Sequence, residues 1–310
     1  MCALALASCS PAPHGINHAH PSLVSLNPCT DAILAEVADP SQIVALSAYS
    51  RDPESSSMDV ALARRFPATS GTVEELLALR PDVVVSGNFL APATSAAMGN
   101  LGMRLEQFPI ASTVPESLAQ VRRLALLAGH PERGEVLVRR IERALTAAAP
   151  PPDARPVSTV VWQSGGIVPG GNSLIADLLR RTGFSVYSAA RGLRQADVLP
   201  LERMLADPPE LILAAGNPRA EENRLLAHPA LSGLKATRRA SLDPALLWCG
   251  GPTIIRAAGR LAAVRKGLAA GPPPPAPSSE EEGALTLRNL LPLLFRGGGW
   301  GVVESDATVR

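Results

Sequence analysis

Aromatic residues are scarce in this chain of 310 residues: they form 3% of it, as five Phe, two Tyr and three Trp. Where so few exist, the position of each is informative. An excess of charge of one sign is also missing. A net charge of +1, with no basic stripe interleaved with aromatics, removes any global pull towards nucleic acid or an anionic membrane. No CxxC spacing occurs, which excludes a zinc knuckle. No GxGxxG follows a strand, no GxxxxGK[ST] exists and no GxSxG elbow is present, so dinucleotide, P-loop and serine-hydrolase chemistry all lack their carriers. Long apolar runs are lacking too. The tail segment "LTLRNLLPLLFRGGGWG" is broken by Pro292 and Gly297 and falls short of the roughly 18 residues that span a bilayer.

What remains is globular in composition, with 46% hydrophobic and 18% charged residues, and is long enough for two domains. The middle of the chain alternates strand and helix. "SLVSL" (22–26), "QIVALS" (42–47), "DVVVSG" (82–87) and "RLEQF" (104–108) read as strands, separated by helical "NPCTDAILAEV", "VEELLAL" and "PATSAAMGNLG". This βαβα order predicts a parallel sheet covered by helices. Two amphipathic helices follow, at 115–129 and 132–149. After "PPPDARP" the pattern restarts with the strand "VSTVVW" (157–162). A helix over 172–183, capped by Asn172 or Ser173, comes next, then "PLERMLAD", "ELILAAG" and a closing helix over 251–268. The expected fold is α/β, with two lobes each built on a mainly parallel sheet, joined by one long helix and enclosing a ligand cleft. Expected boundaries are a leader and tether at 1–20, a first lobe at 21–115, a helical connector at 116–155, a second lobe at 156–268, and a Pro/Glu-rich linker and non-core tail at 269–310.

One unit occurs twice. "TVEELLALRPDVVVSG" (72–87) and "PLERMLADPPELILAAG" (200–216) align on their prolines, so that Glu74 matches Glu202, Pro81 matches Pro209 and Asp82 matches Glu210, each 128 residues apart. Glutamate in a first helical turn complements the helix dipole on its own account, which leaves the pair with a structural as well as a functional reading.

In open parallel sheets ligands bind beyond the carboxyl ends of the strands. Those ends carry Asn27, Pro28, Cys29, Tyr49, Phe89, Trp162, Gln163 and Asn217, and "LLWCGG" adds Trp248 and Cys249. Four of the scarce aromatics thus fall at such ends. Aromatics also cap sheets as packing, but jointly the pattern favours a cleft of flat apolar surfaces with a few amides and hydroxyls, suited to a large, partly apolar ligand. His130 and His228 both precede proline and read as solvated turn residues. His14, His18 and His20 read as polar filler on a tether. No metal site is expected.

The N-terminal "LASC" (Leu6 to Cys9) looks like a lipoprotein lipobox, with Cys9 as the lipidated residue. No Lys or Arg precedes it and the apolar run is short, so either the leader begins upstream of Met1 or the match is chance. The polar, Pro-rich stretch that follows favours export, and an exported protein permits a disulfide.

"SLVSLNPCTDAILAEVADPSQIVALSAYSRDP" and "TSGTVEELLALRPDVVVSG" resemble the first lobe of the periplasmic binding proteins of iron-siderophore, haem and cobalamin ABC transporters. The resemblance covers roughly residues 21–268. It implies a periplasmic, non-enzymatic monomer that needs no cofactor, holds a metal chelate between its lobes and delivers it to a permease dimer with its ATPase. It further implies that an acidic residue on each lobe meets permease arginines, and Glu74 and Glu202 occupy those positions, with Glu75 the confusing neighbour. Cobalamin-type members line the cleft with aromatics, which fits this chain best; a ferric siderophore held by Arg51, Arg191 and Arg194, or haem held by Tyr49, is the alternative. A non-transport sensor built on the same lobes is a third reading. Cys29 and Cys249 fall in opposite lobes beside the cleft. They bridge, touch a metal centre, or pack as small buried residues, and the last is the preferred expectation.

Overall fold

Val, Leu and Ile runs without alternation are the signature of strands covered on both faces, and two parallel sheets are built from them. The structure, a computed structural model, describes residues 20–216 and 228–269. The leader to residue 19, with Cys9, His14 and His18, lies outside the described residues, as do Asn217 and the tail from 270.

The first sheet is laid down by β1 (Leu23–Ser25), α1 (Pro28–Val37), β2 (Ile43–Ser47), α2 (Val60–Ala63), β3 (Ala68–Thr69), α3 (Val73–Leu79), β4 (Val83–Gly87), α4 (Pro92–Asn100) and β5 (Leu105–Phe108). Its strand order is β3-β2-β1-β4-β5, and every pairing is parallel. A hairpin of α5 (Val114–Leu127) and α6 (Pro131–Ala148) leads away from it. The second sheet is built by β6 (Val157–Gln163), β7 (Ile167–Val168), α7 (Leu174–Arg181), β8 (Phe184–Val186), α8 (Tyr187–Ala190), β9 (Asp197–Val198), α9 (Leu201–Ala206), β10 (Leu211–Ala215) and β11 (Arg238–Leu242). Here the order is β11-β10-β6-β8, again parallel throughout, while β7 and β9 form a separate antiparallel ribbon. The two-lobed α/β expectation holds. The short elements β3, β7, β8, β9 and β11 are additions that the sequence pattern did not announce.

The duplicated unit is a true structural repeat. The helices α3 and α9 start 128 residues apart, as do β4 and β10, and in each sheet the strand lies next to the first strand of its lobe. Leu76 and Met204, also 128 apart, are the fully buried side chains that seat the two helices.

Two helices cross from one lobe to the other, where one was expected. The first is α6. Near its start Arg133 pairs with Asp39 at 2.7 Å and Arg140 with Glu36 at 2.6 Å, both in lobe 1; beyond its end Pro150 packs on Gly183 of lobe 2. The second is α10 (Thr253–Ala269), which the sequence pattern places in the second lobe. Its first turn is fixed to lobe 1, where the Thr253 hydroxyl donates to the Ser57 carbonyl at 3.1 Å and Arg256 donates to the same oxygen. Further along, Arg260 and Arg265 donate to the Ser241 and Gly183 carbonyls of lobe 2. His130, expected as a solvated turn residue, is instead buried at the start of α6. Its Nε2 lies 2.8 Å from Gln42 Oε1 and 3.2 Å from Asp39, because the helix start packs onto the loop before β2.

Close approach of α5 and α6 depends on Gly134, where an added Cβ would sit 2.5 Å from the Ala125 Cβ. Helix propensity favours Ala over Gly by about 1 kcal/mol, but crowding a filled interface costs about 1–3 kcal/mol. Gly134→Ala is therefore expected to lower the urea midpoint with an unchanged slope; a raised midpoint would show that the helices separate freely.

Candidate ligand-binding cleft

All five strands of lobe 1 run the same way, so their carboxyl ends share one edge, and the candidate residues gather there. Asn27, two residues past β1, caps α1 by accepting a hydrogen bond from the Cys29 amide at 2.8 Å, with Pro28 at the first helical position. This is the usual chemistry of a helix start. The Asn27 amide also packs against Gly87, where a Cβ would come within 2.7 Å of its Nδ2. Tyr49 follows β2, Phe89 follows β4 and Ile110 follows β5; their exposures are 63%, 73% and 57%. Trp248, from the segment after β11, is 53% exposed and joins this edge. It lines one shallow pocket with Asn27, Cys29, Asn88, Phe89 and Ile110. Large apolar side chains this exposed, and this clustered, mark a binding surface.

Asp31 sets the turn that carries Tyr49. It is fully buried in α1, and its Oδ2 accepts from the Ser47 amide at 3.0 Å and the Ser50 hydroxyl at 2.7 Å, one on each side of Tyr49. Burial pushes its carboxyl up to about 8, against the pull of its serine hydrogen bonds.

Lobe 2 corrects part of the expectation. Trp162 does not line the cleft. The strand β6 runs through Gln163, so Trp162 pairs within the sheet opposite Ala214, and its ring is buried with Val160, Tyr187, Met204 and Ile212. Gln163 is itself 9% exposed. Beyond β6, the β7–β9 ribbon instead presents Ile167 and Val198, paired across the strands and 38% and 54% exposed. The cationic residues are largely committed. Arg191 pairs with Asp207, Nε to Oδ2 at 3.0 Å, and its guanidinium stacks 3.3 Å from the centre of the Tyr187 ring. Arg51 donates to the Phe66 carbonyl at 2.5 Å.

Cys29 and Cys249 form a disulfide with a Cα separation of 4.9 Å. The preferred reading of separate packing residues is therefore overturned. Two thiols 220 residues apart become neighbours only once α1 and the segment before α10 are folded together. Ile110 was missed although it follows a recognised strand; the strand-end logic that reached Phe89 reaches it too. For Ile167 and Val198 no signal existed, because a two-residue ribbon has no periodicity.

Glu74 and Glu202 occupy the second position of α3 and α9, and both are exposed. Neither makes a hydrogen bond or ion pair among the described residues. Their neighbour Glu75 is committed. Its carboxylate accepts from the Thr69 hydroxyl at 2.5 Å and the Ser70 amide at 2.8 Å, and these bonds hold it below the usual carboxylate range.

A family model described as periplasmic binding protein matches residues 23–241. Among solved structures, the chain is similar to a periplasmic haem-binding protein from Pseudomonas aeruginosa (22% identity, covering 79% of this chain and 92% of that one, TM-score 0.62). It is also similar to a periplasmic haem-binding protein of Vibrio cholerae (18%, 79% and 98%, TM-score 0.64) and a periplasmic vitamin B12-binding protein of the same organism (17%, 79% and 96%, TM-score 0.60). At these identities the likeness to solved structures is one of fold. No curated protein matches in sequence.

Because Asp31 is raised in the folded state from 3.8 to about 8, the native protein holds a proton there that the unfolded chain has released. Its contribution to stability is complete below the unfolded value and is lost as pH rises through the folded one, with a slope of at most about 1.4 kcal/mol per pH unit. Asp31→Asn is expected to flatten this decline in urea unfolding between pH 5 and 8. An unaltered slope would place the proton elsewhere.

Proposed function

Because the chain belongs to the periplasmic binding protein family, we propose that it captures a corrinoid, cobalamin by preference, between its lobes and hands it to a membrane permease. Membership itself carries the coarser statements: this is a solute-binding protein of the haem, vitamin B12 and siderophore importer class. It works in the periplasm with a permease and ATPase, and it is not an enzyme. No described helix is long and apolar enough to cross a membrane.

The observation that supports the corrinoid is the lobe 1 surface. Phe89, Ile110 and Trp248 offer flat and branched apolar area at one pocket, where Asn27, Asn88 and Gln120 supply neutral polar groups, and Tyr49 is exposed after β2. Such a surface suits a bulky ligand with an apolar face and amide side groups. An anionic ferric siderophore asks for free cations, yet Arg191 and Arg51 are spent on Asp207 and Phe66, leaving Arg194 exposed without a side-chain partner among the described residues. Haem is the second reading, favoured by one observation: Tyr49 presents its phenol at the cleft edge, the one exposed tyrosine of the two in the chain.

Docking falls to Glu74 and Glu202. Equivalent positions on the two lobes, free of internal partners, give a two-point contact that steers encounter and fixes orientation on a two-fold symmetric permease. Anchoring through a lipid on Cys9, and action as a monomer, belong to the same proposal.

Titration of the full chain with cyanocobalamin, haem and a ferric hydroxamate, followed by tryptophan emission, tests the ligand. A saturable response strongest for cyanocobalamin is expected, and none with any of the three would remove the metal-chelate reading. Phe89→Ala should raise the Kd about tenfold without moving the melting temperature, as loss of an exposed aromatic anchor does. Charge reversal at both Glu74 and Glu202 should abolish uptake at unchanged affinity; weakened binding would place those carboxylates in the cleft or the fold.

A further inference from the structure

Trp248 follows lobe 2 in sequence, a few residues after β11 ends at Leu242, yet its segment is held mainly by lobe 1 and α5, with Leu174 of α7 a further neighbour. The adjacent Cys249 is bonded to Cys29 at the start of α1. Gly250 fits because it has no side chain, since a Cβ there would run into the Ser117 hydroxyl of α5. Gly251 has φ +59° and packs on Ile33 of α1, and its amide donates to Ser117 Oγ at 2.7 Å. Only glycine takes that backbone and that proximity together. The hydrogen bonds of Thr253 and Arg256 to Ser57 complete the seat. All of these contacts lie on the α10 side of Trp248. On its own side the indole is half exposed, so burial does not fix it.

We propose that Cys29 and Cys249 are positioning residues for ligand capture: their bridge fixes the Trp248 indole as a wall of the lobe 1 pocket, and opening the bridge lowers ligand affinity while the fold persists. The proposal rests on that pocket being the ligand site. Cys249 is 3% exposed, whereas Cys29 is partly open and lines the pocket. A dithiol thiolate would attack the Cys29 sulfur, breaking the S–S bond and releasing the Cys249 thiolate. Its second thiol then resolves the mixed disulfide, so that two cysteine thiols form and the dithiol leaves oxidised as a cyclic disulfide. Without the bridge, ligand binding must first order the tryptophan, and a binding-competent fraction of about one tenth would cut apparent affinity about tenfold.

The test uses the full chain carrying Trp300→Phe, which leaves Trp248 as the exposed reporter and buried Trp162 as its internal reference. Dithiothreitol should yield two new thiols per chain with the far-UV circular dichroism retained, while tryptophan anisotropy falls and acrylamide quenching rises. The pair Cys29→Ser with Cys249→Ser, which avoids reductant beside a metal chelate, should bind cyanocobalamin about tenfold more weakly than the intact chain. Unchanged anisotropy and quenching on reduction would overturn the proposal, as would an unchanged Kd in the serine pair. Loss of the far-UV signal on reduction would also overturn it, by making the bridge a staple of the whole fold. A parallel arm keeps the bridge: Trp248→Ala should lose the same affinity and Trp248→Phe regain most of it, and equal affinities in all three would sink the role of the wall. If the intact chain binds neither cyanocobalamin nor haem, the ligand reading fails on its own, and the tryptophan measurements alone decide the positioning.

Discussion

The Cys29–Cys249 bridge is the covalent constraint that ties the segment of Trp248 to lobe 1. It joins the first helix of lobe 1 to the segment that returns from lobe 2, and closes a loop of 220 residues. On the chain-entropy model a loop of that size restricts the unfolded state by about 5 kcal/mol, so opening the bridge lowers stability even while the fold persists. Its local consequence matters as much. The sequence "NPCTD" places three functions within five residues: Asn27 caps the helix, Cys29 anchors the returning segment, and Asp31 holds the turn that bears Tyr49.

From this junction the division of labour follows. Exposed apolar residues follow three strands of lobe 1, and two of them, Phe89 and Ile110, line one pocket with the imported Trp248. Lobe 2 exposes the smaller Ile167 and Val198 of the β7–β9 ribbon, and spends its large aromatics, Trp162 and Tyr187, on its own core. Because α6 and α10 both run from one lobe to the other, relative motion of the lobes must bend or shear two helices at once. That favours small closure over wide hinge opening.

The alternation of strand and helix made the architecture legible, and the long elements fell where their periodicity placed them: "VEELLAL" is α3 and "DVVVSG" yields β4. The proline-centred repeat was legible because both copies keep the same spacing. Burial at strand ends was not. Whether Trp162 caps a sheet or lies inside it turns on one further residue of pairing, at Gln163 opposite Ala215, and strand boundaries are the weakest part of any reading by pattern. Pairing of the cysteines was equally hidden, since nothing local at either thiol refers to the other. Glu74 and Glu75 were indistinguishable as letters; the hydrogen bonds from Thr69 and Ser70 separate them.

The route of the chain into α10 has a consequence for biogenesis. Both sheets are complete by Leu242, but the residues that finish the first lobe arrive only afterwards, with Trp248 and Cys249. As the chain emerges, amino terminus first, the early lobe therefore waits without Trp248 and with its thiol unpaired until nearly the whole folded body has been made. A prematurely ended chain therefore holds both sheets but lacks Trp248 and the partner of Cys29.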